Sequence, residues 1–141
     1  MTTPDDEQVV RDQTVALIQA YQTLITEQRF EEWIELWAED GVCEFPFAAE
    51  GRPSRLCGKP EILEYMTQYP RRISIEGVDE LRVHLGLDPH LAVVELTIRG
   101  IATETGKPYN QQFVIVAESK DGKLSHYREY WNPLISAEAF A

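Results

Sequence analysis

The segment Tyr109–Trp131 (YNQQFVIVAESKDGKLSHYREYW) predicts two antiparallel β-strands joined by a short loop. Apolar and polar residues alternate along both halves of the segment, as they do in strands that keep one face against a core. Between the halves, Lys120-Asp121-Gly122 has the composition of a three-residue hairpin loop with glycine in the left-handed conformation. The second strand ends before Pro133, which has no backbone N–H to donate. The sequence therefore predicts a β-hairpin near the C-terminus.

The register of this hairpin decides which side chains share a face of the sheet. A three-residue loop places Phe113 opposite Glu129, whereas a two-residue loop would shift the pairing by one residue and change the neighbours of Glu129. We assign the more aromatic face to a cavity; it consists of Tyr109, Gln111, Phe113, Ile115, Tyr127, Glu129 and Trp131. The other face keeps several charges and consists of Asn110, Gln112, Val114, Val116, Leu124, His126, Arg128 and Tyr130.

The chain before the hairpin begins with helical patterns. A capping residue, a proline and three acidic residues at 3–7 predict a helix start, and an apolar stripe continues this helix to about residue 27. A second helix is predicted from residue 30 to its end at Asp40-Gly41. A third begins at Gly58-Lys59-Pro60 and ends at Pro70.

Segments with a period of two predict the strands of one sheet. They are 42–47, 73–87, 91–103, 109–119 and 123–132, with a kink or bulge at Gly77 and a loop over 48–55. Helices followed by antiparallel strands indicate an α+β fold, with three N-terminal helices packed on a strongly curved, mainly antiparallel sheet. A curved sheet capped by helices forms a cone-shaped pocket suited to a small molecule. We predict a single domain over residues 1–141.

The composition argues against several classes of function. The chain has 141 residues and a formal net charge of −11, which disfavours binding to nucleic acids and to anionic membranes. No apolar run approaches the roughly 20 residues of a membrane span, and the acidic residues at the N-terminus are unlike a signal peptide. We therefore expect a cytoplasmic protein in which Cys43 and Cys57 are reduced. The sequence has no CxxC or HExxH spacing, so we predict no metal and no other cofactor.

Glu129 is the main candidate for a catalytic residue. It shares its predicted sheet face with Tyr127 and Trp131, two large aromatic side chains. Burial in such surroundings favours the neutral carboxyl and raises its pKa, which suits the group to proton transfer near neutral pH. The alternative is a structural carboxylate in a salt bridge to an arginine such as Arg99.

Three further residues are candidates for a role in catalysis. Glu95 could pair with Glu129, so that two neighbouring carboxyls divide the acid and base roles. Alternatively, Glu95 is a solvated charge on the outer face of the sheet next to Arg99. Tyr65 and Tyr127 could donate a hydrogen bond to a developing oxyanion, or they could simply pack in the core.

A second set of side chains is expected to bind the substrate. These residues are aromatic, apolar or amide-bearing: Phe45, Phe47, Met66, Tyr69, Tyr109, Gln111, Phe113 and Trp131. Core packing would explain the spacing of Phe45 and Phe47 equally well, and it is the favoured interpretation for Trp33 and Trp37. For Gln111, the alternative role is a hydrogen bond to the backbone at a bulge.

The order of helices and strands resembles the nuclear transport factor 2-like fold. That superfamily includes ketosteroid isomerase, SnoaL-like polyketide cyclases, limonene epoxide hydrolase and the phenazine-biosynthesis A/B proteins. The similarity rests on WAEDGVCEFPF at 37–47, GKPEI at 58–62 and the hairpin segment 109–131, which together extend over much of the chain.

One motif connects this resemblance to Glu129. Arg128-Glu129-Tyr130 is similar to the stretch that carries the acid/base glutamate of the phenazine A/B proteins, which implies the same role for Glu129. Those proteins also use a histidine from the region of the third helix. At that place this chain has Tyr65, Met66 and Tyr69, so the partner of Glu129 is not indicated by the resemblance.

The residues and the resemblance together suggest a cofactor-independent acid/base enzyme of the isomerase, cyclase, dehydratase or epoxide hydrolase type. Its substrate would be a small apolar or aromatic molecule, and the resemblance implies a setting in secondary metabolism. The alternatives are a non-catalytic module that binds a small ligand and a dimerisation module of the same fold. The resemblance also implies a homodimer, for which the outer sheet face with Val114, Val116 and Tyr130 would form the interface.

Overall fold

The computed structural model describes residues 3–141 as an α+β fold with four α-helices and six strands. In chain order the elements are α1 (Pro4–Thr26), α2 (Phe30–Trp33), β1 (Trp37–Glu44), β2 (Arg55–Cys57), α3 (Lys59–Gln68), β3 (Ile73–Leu85), β4 (Leu91–Ala102), β5 (Gln112–Lys120), β6 (Lys123–Trp131) and α4 (Pro133–Ala139). Short 3-10 helices, Ile34–Leu36 and Tyr69–Arg71, follow α2 and α3. The predicted fold class is confirmed, and α4 is an element that the sequence patterns did not predict.

The six strands form one curved sheet in the order β2-β1-β6-β5-β4-β3. Neighbouring strands are antiparallel except β1 and β6, which are parallel. The edge strand β2 begins at Arg55, where the expected loop ends, and the sequence patterns did not predict it. Register shifts between Ile75 and Gly77 and between Val78 and Glu80 interrupt the β3–β4 pairing, and such bulges increase twist and bending. The predicted irregularity at Gly77 is therefore confirmed.

Helix α1 begins where its capping signals predict. The Thr3 hydroxyl oxygen accepts a hydrogen bond from the Asp6 N–H at 3.1 Å, and the Asp6 carboxylate accepts one from the Thr3 N–H at 3.2 Å. This reciprocal capping box satisfies two backbone donors that the helix itself leaves free. The apolar stripe with Leu17, Tyr21 and Ile25 is buried beneath the helix. Because α1 contacts β3 and β4, this stripe covers the concave face of the sheet.

An aromatic cluster joins the N-terminal helices to the sheet. The Tyr21 ring meets Trp33 edge-on with centroids 5.3 Å apart and stacks on Tyr127 at 4.7 Å. Trp37 contacts the rings of Trp33 at 5.9 Å and Tyr127 at 5.8 Å. Both tryptophans are completely buried, and neither indole N–H has an acceptor within the described chain. Aromatic pairs of this kind contribute about 0.5–1.5 kcal/mol each beyond the burial of their surface.

The second helix is shorter than predicted. The 3-10 turn after α2 ends at Leu36 and Trp37 already belongs to β1, so the prediction of a helix up to Asp40-Gly41 is wrong. Trp37 pairs with Leu124 of β6, and a register shift follows along β1. A Cβ at Gly41 would lie 2.8 Å from Trp37 Cε3. The glycine is therefore needed because the Trp37 ring packs closely against the β1 backbone, and it does not mark a helix end. Long-range pairing with β6 overrides the local signal for a helix end.

The hairpin between β5 and β6 has a two-residue loop, so the predicted three-residue loop is wrong. Asp121 and Gly122 have φ angles of 51° and 76°, as in a type I′ turn, and Lys120 pairs with Lys123. A register shift directly beyond this turn inserts one further residue into β6. The shorter loop shifts the pairing by one residue and the bulge shifts it by another. The two strands therefore pair two residues away from the expected register.

This shift of two residues changes the partner of Glu129 and preserves its face. Ile115, and not Phe113, lies opposite Glu129, and Phe113 lies opposite Trp131. Because side chains alternate with a period of two, a displacement by two leaves each residue on the face that the pattern predicts. Leu124 is the exception: it precedes the bulge and is buried, although the pattern places it on the outer face.

A buried glutamine connects the start of β5 to the new helix α4. Strand β5 begins at Gln112, so residues 109–111 lie outside it and the predicted start at Tyr109 is wrong. The Gln111 amide donates to Asn132 O and to Ser136 Oγ, and its oxygen accepts from the Asn132 N–H, each at 3.0 Å. The Asn132 side chain caps α4 by accepting the N–H of the second helical residue. Asn132-Pro133 is therefore a helix start as well as the end of a strand.

None of the helices within residues 3–141 is long and apolar enough to cross a membrane. The argument about a signal peptide also involves Met1 and Thr2, which lie outside the described residues.

Replacement of Gly100 by alanine should destabilise the fold. A Cβ at Gly100 would lie 2.7 Å from the backbone oxygen of Ser74 and 3.3 Å from that of Tyr109. Both are backbone atoms, and Ser74 is held in the pairing of β3 with β4. We expect a loss of about 1–3 kcal/mol in the free energy of unfolding, measured by urea denaturation. The control is Gly86→Ala, where a Cβ would meet nothing within 4 Å. Equal stabilities of the two variants would contradict this account.

Candidate active site

The concave face of the sheet and helices α1, α3 and α4 enclose a pocket of about 500 Å³. This volume falls within the range of sites that bind small organic molecules. Most lining side chains are apolar or aromatic, and within the described chain Glu129 is the one acidic residue among them. The pocket therefore combines an apolar interior with a single carboxyl group.

Glu129 faces this pocket from β6. It alternates with Tyr127 and Trp131 along the strand and lies opposite Ile115 of β5. Part of the Glu129 surface is open to the pocket, but residues 3–141 provide its carboxylate with no hydrogen-bond donor and no ion pair. Because burial removes hydration from the charged form, the pKa of Glu129 rises from 4.5 to about 7. Near neutral pH both protonation states are then populated, as a general acid or base requires.

Tyrosine side chains surround the Glu129 carboxyl. Burial raises the pKa of each of them, and the negative charge of Glu129 adds to the increase; they are Tyr21, Tyr65, Tyr69, Tyr109 and Tyr127. For Tyr65 the pKa reaches about 12. These hydroxyl groups therefore remain protonated at neutral pH and are able to donate hydrogen bonds.

Most of the residues that the sequence predicts for the site line this pocket. They are Phe45, Phe47, Tyr65, Met66, Tyr69, Tyr109, Phe113, Glu129 and Trp131. Phe45 connects two walls, since its ring centroid lies 4.9 Å from that of Tyr65 on α3 and 5.7 Å from that of Trp131 on β6. The aromatic rings of three different elements thus enclose the same space.

The proposed partners of Glu129 lie on the outer face of the sheet. Glu95 is exposed there, and its Oε1 lies 3.2 Å from His84 Nε2, so the pairing of Glu95 with Glu129 is wrong. The even-numbered residues of β4 point inward, and this phase excludes Glu95 from the pocket. A salt bridge from Glu129 to Arg99 is wrong too, because the Arg99 guanidinium pairs with Asp79 at 2.6 Å.

Two other predicted site residues do not reach the ligand space. Gln111 is fully buried and its amide holds the start of α4, so its predicted role in ligand binding is wrong. Tyr127 is buried against Tyr21 and is not part of the lining. Tyr21 from α1 takes that place on the pocket wall.

Several lining residues carry no clear signal in the sequence. Tyr21 belongs to the apolar stripe of α1 and lines the pocket. The sequence pattern does not indicate which helical turn of α1 faces a cavity and which faces the packed core. Arg52 lies in a loop and Arg72 directly follows a 3-10 turn, where charged residues are ordinary, and Phe140 follows the unpredicted helix α4. Placement of these residues depends on tertiary packing.

The arrangement suits proton transfer in an apolar space. Glu129 supplies a group that can take up or release a proton near pH about 7, and the tyrosines that line the pocket supply neutral donors for an oxygen that gains negative charge. Among the residues described, no group of three or more His, Cys, Asp or Glu side chains is placed to hold a metal ion.

Comparison with known proteins identifies the family. The family model described as SnoaL-like domain matches residues 18–127. The Bacillus subtilis protein YesE is 37% identical over 123 residues, which cover 87% of this chain and 84% of YesE. The solved structure of a candidate isomerase from Bacillus subtilis is 36% identical, with a TM-score of 0.87 over 92% of this chain and 93% of the other.

A more distant similarity bears on the fold alone. A solved phenazine biosynthesis-related protein of Pseudomonas aeruginosa is 22% identical, with a TM-score of 0.80 over 96% of this chain and 89% of that protein. Solved structures of a nuclear transport factor 2-like protein, a candidate polyketide cyclase and an epoxide hydrolase share the same architecture. The resemblance to the nuclear transport factor 2-like fold is thereby confirmed.

Replacement of Glu129 by glutamine should stabilise the protein at alkaline pH. With a pKa of about 7 in the folded state against 4.5 when exposed, folded protein binds this proton more tightly than unfolded protein does. The free energy of unfolding therefore falls as pH rises through this interval, by up to about 3 kcal/mol. Glutamine cannot ionise, so its advantage over wild type should grow from near zero at pH about 4 to its maximum at pH about 8. Urea denaturation across this range measures it.

The matched control for this experiment is Glu95→Gln. Glu95 is an exposed carboxyl on the outer face of the same sheet, so its removal should give no comparable gain at alkaline pH. A difference between Glu129→Gln and wild type that stays constant from acid to alkaline pH would contradict the burial of an ionisable carboxyl at this position.

Proposed function

We propose that this chain, which belongs to the SnoaL-like domain family, is a cofactor-independent enzyme that transfers protons on a small apolar or aromatic molecule through Glu129. The observation that carries the proposal is an unpaired carboxyl with a pKa of about 7 in a pocket of about 500 Å³. Isomerisation or cyclisation suits this site best, while dehydration and epoxide opening could employ the same carboxyl.

The chemistry is simplest for a substrate with a carbonyl group. The Glu129 carboxylate removes a proton from the carbon next to the carbonyl, and the electron pair of the broken C–H bond forms an enolate. A hydroxyl such as that of Tyr65, which lines the pocket, donates a hydrogen bond to the enolate oxygen. In an isomerisation, protonated Glu129 returns the proton to another carbon. In a cyclisation, the enolate carbon attacks a second carbonyl and Glu129 gives its proton to the new alkoxide.

A non-catalytic module for small ligands is the second candidate function. The observation that favours it is the aromatic lining, which would hold an apolar molecule whether or not a reaction follows. In that case the carboxyl of Glu129 would contribute polarity and no proton transfer. A neutral amide at position 129 would then support the same function.

Deuterium exchange distinguishes the two candidates. We expect the wild-type protein in D₂O to accelerate deuterium incorporation next to the carbonyl of apolar cyclic ketones, as followed by mass spectrometry. If Glu129 acts as the base, the rate should rise with pH through a pKa near 7. Glu129→Gln should lose about a hundredfold or more of this rate while it retains ketone binding.

Glu95→Gln is the control for the exchange experiment and should keep the wild-type rate. Binding of the ketones by wild-type protein without acceleration of exchange would favour the binding module. Equal exchange rates for wild type and Glu129→Gln would contradict the role of Glu129.

The proposal extends to assembly and setting. We propose a homodimer formed by the outer face of the sheet, where Val114 is exposed and Tyr130 packs edge-on against the exposed Phe47 at 5.6 Å. A cytoplasmic protein of secondary metabolism is the setting that the family resemblance suggests.

Replacement of Val114 by lysine should convert this dimer to a monomer, because it introduces a long charged side chain at a position that the proposed interface would bury. Size-exclusion chromatography with light scattering, at several protein concentrations, measures the change in mass. Leu87→Lys is the control, since Leu87 is 97% exposed in the turn between β3 and β4. A monomeric wild type at the highest concentration would contradict the interface.

A further inference from the structure

Two arginines line the pocket, although the chain as a whole is strongly acidic. The formal net charge is −11, yet the charged groups of the lining are Glu129, Arg52 and Arg72. Arg52 comes from the loop between β1 and β2, and Arg72 follows the 3-10 turn after α3. The pocket thus has an excess of positive charge in a molecule of the opposite sign.

Neither arginine has a carboxylate partner within residues 3–141. Arginines that do form ion pairs, such as Arg29 and Arg99, lie away from the pocket. Glu129 is not their partner either, because none of the ion pairs within residues 3–141 joins its carboxylate to Arg52 or Arg72. The Arg52 guanidinium hydrogen-bonds the Tyr65 hydroxyl, which is a neutral partner. The positive charges of both guanidinium groups therefore stay uncompensated and are available to an anion that enters the pocket.

Arg72 is held in place by the structure around it. Its guanidinium carbon lies 4.6 Å from the centroid of the Phe140 ring, a cation–π contact, and Phe140 itself packs against Tyr109 at 5.6 Å. Its backbone oxygen accepts a hydrogen bond from the Thr103 N–H at 2.9 Å. An arginine fixed in this way loses less conformational entropy when it binds an anion than a free surface side chain would.

The charges of the arginines and of Glu129 affect the pKa values of the same tyrosines. Burial sets the high pKa of Tyr65, the Glu129 charge raises it further, and the charges of Arg52 and Arg72 oppose that rise. The same opposition between Glu129 and Arg72 is felt by Tyr69 and Tyr109. Because Arg52, Arg72 and Glu129 also line one and the same pocket, a single ligand can reach all three.

We propose that Arg52 and Arg72 form an anion-binding end of the pocket, and that the substrate is an apolar molecule with a single anionic group such as a carboxylate. This inference rests on the proposed function, because it names the substrate class of the same pocket. The anionic group binds at the arginines, the apolar body lies among the aromatic rings, and the reacting carbon lies near Glu129. Two cations offset the cost of removing such an anion from water.

A purely structural role for the arginines makes a different prediction. If Arg72 only covers Phe140 and Arg52 only hydrogen-bonds the Tyr65 hydroxyl, their removal should affect charged and neutral ligands equally. The test therefore compares two probes with the same aromatic skeleton. We choose 8-anilinonaphthalene-1-sulfonate, which is an anion, and N-phenyl-1-naphthylamine, which is its neutral counterpart, because both fluoresce in apolar sites.

Fluorescence titration of the full-length protein should show preference for the anionic probe. We expect wild type to bind it at least about tenfold more tightly than the neutral probe, and Arg52→Gln/Arg72→Gln to lose this preference while it keeps affinity for the neutral probe. The preference should also decrease as salt increases. Displacement by 1-naphthoate, but not by 1-naphthamide, would extend the result to a carboxylate.

Arg71→Gln is the matched control, because Arg71 adjoins Arg72 in the chain, is exposed and does not line the pocket. It should retain the wild-type preference. Arg52→Gln alone, in an exposed loop, should retain the fold and lose part of the preference, which guards against a double variant that does not fold. Equal affinity of wild type for both probes, or a parallel loss of both in the variants, would overturn the proposal.

Failure of this inference and failure of the proposed function have different signatures. Glu129→Gln should keep the preference for the anionic probe, since the preference depends on the arginines and not on proton transfer. If wild type does not accelerate ketone exchange but prefers the anionic probe, the enzymatic function is contradicted and the anion-binding site is supported. If exchange depends on Glu129 but wild type does not prefer the anionic probe, the anion-binding site is contradicted and the enzymatic function is supported.

Discussion

The structure depends on the closure of a strongly curved sheet that cannot pack against its own concave face. Helix α1 covers that face at one side through the stacked rings of Tyr21 and Tyr127 and the tryptophans beneath them. On the other side the buried Gln111 amide holds α4. Between these two contacts the concave face is not filled, and the unfilled volume is the pocket. The same packing that stabilises the fold thus determines where a ligand can enter.

A pocket built in this way imposes its environment on whatever side chain points into it. Glu129 gains no hydrogen bond in exchange for its hydration, so its ionised form costs free energy that the rest of the core must offset. The surrounding tyrosines remain neutral for the same reason. Retention of an unpaired acid in the core is expected where function, and not stability, determines the residue.

Features with a strong local period could be predicted from the sequence, and features set by long-range pairing could not. The capping box of α1 and the inward phase of Glu129 follow from local chemistry and from a period of two. The register of the hairpin, in contrast, depended on a bulge that no residue type specifies. The helical pattern at Trp37 yielded to its pairing with β6, and the arginines of the pocket lie in irregular segments without any period.

The parallel pairing of β1 with β6 has a consequence for how the protein is made. Trp37 and Leu124 are neighbours in the sheet, although most of the chain separates them in sequence. During synthesis β1 leaves the ribosome long before β6 has been made. The edge of β1 that pairs with β6 therefore stays unpaired while the middle strands form. Folds dominated by such distant contacts form slowly and are exposed to aggregation before they close. We infer that the last strand, which carries Glu129, both completes the sheet and ends this vulnerable interval.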